Sequence, residues 1–265
     1  MNPLFQGIAA NDSKDLVNFI IMTLHEELNE ANNNIPNNNN IFIDQRDQQL
    51  VYNMFINNFK AKNNSIISNL FYAINCNITQ CGGCPNQTFN YQTYFFIVFP
   101  LEEVRKFKFG DNYLYNSKIV DIDDCFKYDR KVNYMTGDNA MYCNYCKRNC
   151  NSSMQTILIT GPQILILLLN RGKGKEFDVK INCVEFLDLS SYIQNFDSGV
   201  YYNLIGVITH LGDSGMSGHF IAYCRDPIFR NWYKFNDAIV TPVVDFKKEV
   251  IDFAMPYLLF YEKQK

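Results

Sequence analysis

Long hydrophobic runs are missing from this 265-residue chain. The longest aliphatic stretch, Ile164 to Leu169, falls far short of the roughly 20 apolar residues that a membrane-spanning helix requires. Nor does Met1-Asn2-Pro3 open a charged segment followed by an apolar one, so no secretory leader is read there. Clustered basic residues are lacking too: 24 Lys and Arg against 27 Asp and Glu leave a formal charge of −3. A general nucleic-acid binder needs a basic face to displace counterions from phosphates, and none is present. The cysteine count is nine, an odd number, and four of these residues form two Cys-x-x-Cys pairs. That argues against a secreted disulfide framework and for metal in a reducing compartment, where sequons such as Asn77-Ile78-Thr79 stay unused. The expectation is a soluble intracellular protein, cytoplasmic or nuclear, monomeric, with no nucleic-acid or membrane partner.

What is present is enough apolar material, 47% of residues, to build one substantial core or a core with a small lobe. Leu16, Ile20, Leu24 and Leu28 recur every four residues, widened by Val17 and Ile21, which predicts an amphipathic, core-facing helix from Asp12 to about Glu30. Asn11 or Asp12 can cap it and Asp15 adds a carboxylate to its first turn, while His25 falls on the polar face, where it is read as solvated. Residues 32–40, nearly all Asn, have nothing to bury and read as a mobile loop. Leu50, Val51, Met54, Phe55 and Phe59 mark a second helix, after which Ser65 to Phe71 leads into a strand. From Ile157 onward, apolar runs at 157–160, 164–169, 184–187, 201–209, 220–224, 232–235 and 257–261 predict a mostly antiparallel sheet. Turns are read at Gly161-Pro162, Gly172-Lys173-Gly174 and Gly212-Asp213-Ser214-Gly215. The uninterrupted run Ile164 to Leu169 predicts a strand buried on both faces.

Cys81-Gly82-Gly83-Cys84 and Cys143-Asn144-Tyr145-Cys146 each stand at the tip of a predicted β-ribbon. A Cys-x-x-Cys turn presents two thiolates from one knuckle, so two knuckles complete the four-sulfur tetrahedron that one zinc ion takes. The bland alternatives are reduced structural thiols or a redox pair, though a redox Cys-x-x-Cys belongs at a helix start in a βαβ setting that is not seen here. Cys76 and Cys150 are near enough in sequence to be substitute ligands, but like Cys125, Cys183 and Cys224 they read first as core or fingertip residues.

Gly218-His219-Phe220-Ile221-Ala222-Tyr223 and, after a turn at Arg225-Asp226-Pro227, Trp232-Tyr233-Lys234-Phe235-Asn236-Asp237 give two strands with one chemically useful side chain each. An imidazole that accepts a proton from a thiol needs its other nitrogen held by an acceptor, and Asn236 on the neighbouring strand can supply it. Gly218 leaves room for a backbone to pass closely. This pattern closely resembles the histidine box of the ubiquitin-specific proteases, and Asn11 to Leu16 with Leu24-His25-Glu26-Glu27-Leu28 is similar, more loosely, to that family's Gln-Asp-x-x-Glu-Phe box and its continuation. The resemblance implies an α+β, papain-like cysteine protease fold of thumb, palm and fingers. Residues 1–70 would be a helical thumb remnant, 71–160 mainly β fingers with a zinc knuckle, and 161–265 an antiparallel β palm.

It further implies that His219 is the general base, Asn236 the third triad member and Asp237 a supporting acid, with Cys81, Cys84, Cys143 and Cys146 as ligands of a structural zinc. Ubiquitin or ubiquitinated proteins are the implied partners. His210, in a strand end similar to the family's Val-x-x-His-x-Gly, is expected to shape the loop rather than to catalyse. The family's Gly-Asn-Thr-Cys box, which carries the nucleophile, is absent ahead of Asn11, so this chain is expected to be inactive and the stripe of its first helix to lack some packing partners. A ubiquitin-binding protein without catalysis and a zinc-ribbon interaction module are the alternatives; the second leaves the histidine box unexplained.

Overall fold

The computed structural model describes residues 11–31, 46–111, 119–172, 179–194, 200–212, 218–252 and 255–264. The Asn-rich segment 32–40 and most of the two glycine turns at 172–174 and 212–215 lie outside these residues. Three helices come first: α1 (Ser13–Leu28), α2 (Gln48–Lys62) and α3 (Ile66–Phe71). Asp12 caps α1 by accepting from the Lys14 N–H at 2.9 Å. Ser65 caps α3 reciprocally with Ser68, making a short helix of what the sequence presents only as the approach to a strand.

The next strands are β1 (Ala73–Cys81), β2 (Gln87–Tyr94) and β3 (Phe96–Pro100). α4 (Leu101–Phe109) carries Glu102 and Glu103 in its first turn and Lys106 and Lys108 in its last, complementing the helix dipole, and ends at Gly110 with φ 76°, a left-handed position suited to glycine. There follow β4 (Val120–Asp121), α5 (Ile122–Asp129), β5 (Asn133–Met135), β6 (Met141–Cys143), β7 (Arg148–Cys150), β8 (Ser152–Leu158) and β9 (Ile164–Asn170). The chain closes with β10 (Ile181–Asn182), β11 (Phe186–Asp188), β12 (Tyr201–Leu211), β13 (His219–Arg225), β14 (Trp232–Asn236), β15 (Ile239–Pro242) and β16 (Pro256–Lys263).

Two sheets organise these strands. The larger runs β15-β14-β13-β12-β16-β9-β3 with β11 beside β12, antiparallel except for the β3–β9 pair. The smaller is the antiparallel set β2-β1-β8-β5, beyond whose end β6 and β7 form a separate hairpin. Between the two halves of the smaller sheet the chain returns to the larger one, so that β3 joins the sheet edge and α4 and α5 pack against it.

Strand β9 is buried from Leu165 to Leu169, as its sequence predicts. Leu165, Leu167 and Leu169 face a core shared with Leu101, Val104, Ile122 and Phe126 of α4 and α5, whereas Ile166 and Leu168 face Ile21 of α1, Ile67 of α3 and Leu258 of β16. Helices therefore cover both faces. The α1 stripe divides: Val17 and Ile21 pack inward, but Leu16, Ile20, Leu24 and Leu28 are exposed, so the helix is core-facing along only part of its apolar surface. α2 lies on the smaller sheet through Val51, Tyr52, Phe55 and Ile56, against Cys76, Phe89 and Tyr91.

His25 is not solvated. Its Nε2–H donates to Asn63 Oδ1 at 3.0 Å, its Nδ1 accepts from the Ser65 hydroxyl at 2.7 Å, and its ring lies 5.1 Å from that of Tyr72. The polar face of α1 thus meets the α2–α3 junction, a long-range contact that helical periodicity cannot reveal.

The two sheets join where β8 runs into β9. Ile159 N and Thr160 N both donate to Ile74 O, Thr160 Oγ1 accepts from Ile74 N at 3.0 Å, and the Tyr94 hydroxyl donates to Thr160 O at 2.8 Å. The Tyr202 hydroxyl donates to Pro162 O at 2.8 Å, and a Cβ on Gly161 would collide with that same hydroxyl and with Ile193. Leu167→Ala should cost about 2–5 kcal/mol by leaving a cavity in the doubly covered strand, and Leu16→Ala on the exposed stripe less than about 1 kcal/mol. Urea unfolding of the two variants checks the contrast, and equal losses would contradict the packing described.

Candidate functional site

His219 opens β13 and Asn236 closes β14, the strands being paired from Ala222↔Phe235 to Arg225↔Trp232. Alternation puts His219, Ile221 and Tyr223 on one face and Trp232, Lys234 and Asn236 on that same face of the neighbouring strand. Ile221, Tyr223 and Trp232 belong to the main core, so the face that is dry further along the strands emerges at the sheet margin carrying an imidazole and an amide. There His219 Nε2 and Asn236 Oδ1 meet at 2.6 Å. An amide oxygen only accepts, so the hydrogen resides on Nε2, and Nδ1 keeps a lone pair free to take a proton.

Asp237 begins the two-residue turn between β14 and β15, with φ 50°, a left-handed conformation that Asp tolerates better than most residues. Its Oδ2 is 3.7 Å from His219 Nε2, with side chains 81% and 45% exposed respectively, so water screens most of the attraction it can offer an imidazolium. All three histidine-box residues are therefore together, with Asn236 as the direct partner and Asp237 at the rim.

Behind them lies His210, buried near the end of β12 with its ring 4.9 Å from that of Phe220. Burial lowers its pKa, an effect opposed by the Asp12 carboxylate and reinforced by the Arg171 cation, so the neutral imidazole is favoured. A Cβ on Gly218 would overlap the His210 ring and Leu211 O, so glycine is required for the entry into β13. The sequence alone suggests a glycine left bare for a substrate; the structure shows that it makes room for His210.

The second cluster stands at the end of the smaller sheet. The sulfurs of Cys81, Cys84, Cys143 and Cys146 all lie within 4.8 Å of one another, and Cys84 and Cys143 are 3.7 Å apart. Four thiolates at about 2.3 Å from a central zinc would be spaced by about 3.8 Å, so the set fits a tetrahedral metal ion. Backbone amides point at the sulfurs: Gly83 N donates to Cys81 Sγ at 3.3 Å and Cys146 N to Cys143 Sγ at 3.5 Å. Within the cluster the Cys146 amide draws the Cys143 thiol down, whereas the neighbouring sulfurs, Cys84 foremost, push the Cys146 thiol up. The substitute ligands suggested by the sequence separate: Cys76 is buried under α2 beside Tyr91, away from the fingertip, and Cys150 is packed at the fingertip.

The remaining three cysteines lie away from both clusters. Cys125 and Cys183 are in the main core, with burial as the chief cause raising both thiols, Cys183 to about 12, and Cys224 lies on β13. Among the described residues no cysteine is hydrogen-bonded to His219. No helix among them is long and apolar enough to cross a membrane.

Comparison with known proteins supports the same class. The model of the ubiquitin carboxyl-terminal hydrolase family matches residues 1–261, and the chain belongs to that family. It is 24% identical over 98% of its length to ubiquitin carboxyl-terminal hydrolase Usp2 of Drosophila melanogaster, covering 26% of that protein, and 26% identical to ubiquitin carboxyl-terminal hydrolase 2 of Gallus gallus, covering 70%. Among solved structures, the SAGA Ubp8/Sgf11/Sus1/Sgf73 DUB module bound to ubiquitin aldehyde is similar, with a TM-score of 0.65 and 20% identity. That match covers 97% of this chain and 50% of the other, placing the fold among the ubiquitin-specific proteases. The chain thus spans about half of the structural relative and about a quarter of the Drosophila protein.

Gly218→Ala should destabilise the protein by about 1–3 kcal/mol, because the added methyl meets a buried ring and a backbone oxygen on a packed strand. A chemical-denaturation midpoint equal to that of the parent would show that the Gly218 contact is not as tight as described.

Proposed function

We propose that this chain is part of a cysteine-type deubiquitinase, a ubiquitin C-terminal hydrolase whose base and orienting residue are His219 and Asn236. The observation that carries the reading is the 2.6 Å contact that leaves Nδ1 unprotonated. In the proposed reaction Nδ1 removes the proton of a cysteine thiol, and the thiolate attacks the carbonyl carbon of ubiquitin's last glycine. The imidazolium then protonates the departing amine, and water, activated by the same nitrogen, hydrolyses the thioester. Asn236 keeps the ring from rotating, while Asp237 adds a small, screened stabilisation of the imidazolium. A module that only bound ubiquitin would have no use for a tautomer held in this way.

In this reading 1–70 contributes to the thumb, 71–160 mainly to the fingers and 161–265 to the palm, and a monomer in the cytoplasm or nucleus acts on ubiquitinated proteins. In this reading the attacking thiolate is none of the nine cysteines, and the support for that is that none is hydrogen-bonded to His219 among the described residues. Residues 1–265 alone should therefore not react with a ubiquitin probe bearing a thiol-trapping C-terminal electrophile. A version extended by a Gly-Asn-Thr-Cys segment ahead of Asn11 should be labelled, and His219→Ala should abolish that labelling, since losing the base costs on the order of 10²–10⁴-fold or more. Efficient labelling of the 265-residue chain at one of its own cysteines would overturn the assignment.

The zinc reading belongs here as well: Cys81, Cys84, Cys143 and Cys146 would hold one structural ion. Bound there, zinc ties the β1–β2 turn to the β6–β7 hairpin, which has little core beyond the cysteines themselves. Protein purified without added metal should carry about one equivalent of zinc. Metal-free protein whose four thiols are readily alkylated while it remains folded would rule this out.

A further inference from the structure

A fifth sulfur stands beside the four at the fingertip. Cys150, on β7 opposite Met141, is 5% exposed and shares a packed cluster with Cys81, Cys84, Cys143 and Cys146. A point one Cβ bond out from Gly83 lies 3.3 Å from Cys150 Sγ, 3.6 Å from Cys146 Sγ and 3.8 Å from Cys81 Sγ, so these three sulfurs surround one spot. The Cys150 S–H is directed at Arg148 O, 3.6 Å away. The two neighbours differ. Cys81 ends a strand and is buried, whereas Cys146 is half-buried in a turn whose next residue, Lys147, holds φ 56°. Cys146 is thus the more accessible ligand on the less constrained backbone, with a shielded thiol on a paired strand beside it.

We propose that Cys150 is a reserve metal ligand, which takes the place of Cys146 when that thiolate is chemically modified. The proposal rests on the zinc reading above. When a haloacetamide reacts, the Cys146 thiolate forms an S–C bond, the C–I bond breaks and iodide departs. The resulting thioether is a poor ligand and leaves the ion; Cys150 gives its proton to the buffer and binds as thiolate, so the shell again holds four thiolates. The fingertip then tolerates damage at Cys146, one of its two half-buried ligands.

The test uses the whole 265-residue protein, with zinc content and the absorption of its cobalt(II) form as readouts. Thiolate-to-cobalt charge-transfer intensity counts the bound sulfurs, and far-UV circular dichroism confirms folding. The parent and Cys150→Ala should each bind one ion through four thiolates. Cys146→Ala should keep the ion with a four-thiolate spectrum, Cys84→Ala should lose it, and the double variant Cys146→Ala/Cys150→Ala should also lose it. Iodoacetamide limited to one equivalent should release zinc from Cys150→Ala several-fold faster than from the parent. If Cys146→Ala loses metal as completely as Cys84→Ala, or if the double variant retains it, the reserve role is overturned while the zinc site stands. Equal release rates in the parent and Cys150→Ala would overturn that role as well. A parent without metal would overturn the zinc reading itself, and this proposal with it.

Discussion

Strand β9 has no face that water can reach, and the rest of the molecule is arranged to satisfy that demand. Five consecutive buried residues, Leu165 to Leu169, can be covered only by material on both sides of the sheet. α1 and α3 supply one side and α4 and α5 the other. The detour of the chain between β2 and β8 follows from the same demand, because β3, α4 and α5 are what that detour brings to the sheet. With both faces packed, the strands that follow through β16, β12 and β13 to β14 are held by backbone ladders on a rigid base.

That rigidity matters at the sheet margin, where polar groups are few and their orientation counts. The same alternation that buries Ile221, Tyr223 and Trp232 delivers His219 and Asn236 to one face, so the imidazole is set by packing two and four residues away. The buried, neutral His210 contributes no charge there; it occupies volume that dictates how Gly218 must pass. Shape and tautomer, rather than a strong local field, are what the surrounding structure gives His219.

Much of this was legible in the sequence because it is written in short-range patterns. Apolar runs separated by turns locate β12, β13, β14 and β16, and the uninterrupted aliphatic run locates β9. Two Cys-x-x-Cys knuckles foretold the sulfur cluster. What escaped was long-range. α4 and α5, charged stretches of only nine and eight residues, are amphipathic but too short for a helical period to stand out, and they take their stability from the sheet beneath. Strand β15 is only four residues long and exposed at every position, so its Ile239-Val240 pair is too short a run to signal a strand, and it exists because β14 offers it an edge. The setting of His25 escapes because neighbours in sequence do not disclose what a residue meets across the fold. Cys150 is the reverse case, since a fifth nearby cysteine was visible but only three dimensions place its sulfur against Cys81 and Cys146.

The junction at Ile159 to Pro162 can also be understood mechanically. Strand β1 reaches from that junction to the fingertip, and its nine residues at about 3.3 Å each make an arm of roughly 30 Å. A tilt of only about 5° at the base of such an arm would carry the cysteine cluster about 2.6 Å sideways, most of the length of a hydrogen bond. Whatever the fingertip grips, its reach relative to the His219 margin is therefore set by Thr160, Tyr94, Tyr202 and the missing side chain of Gly161, groups far from either end.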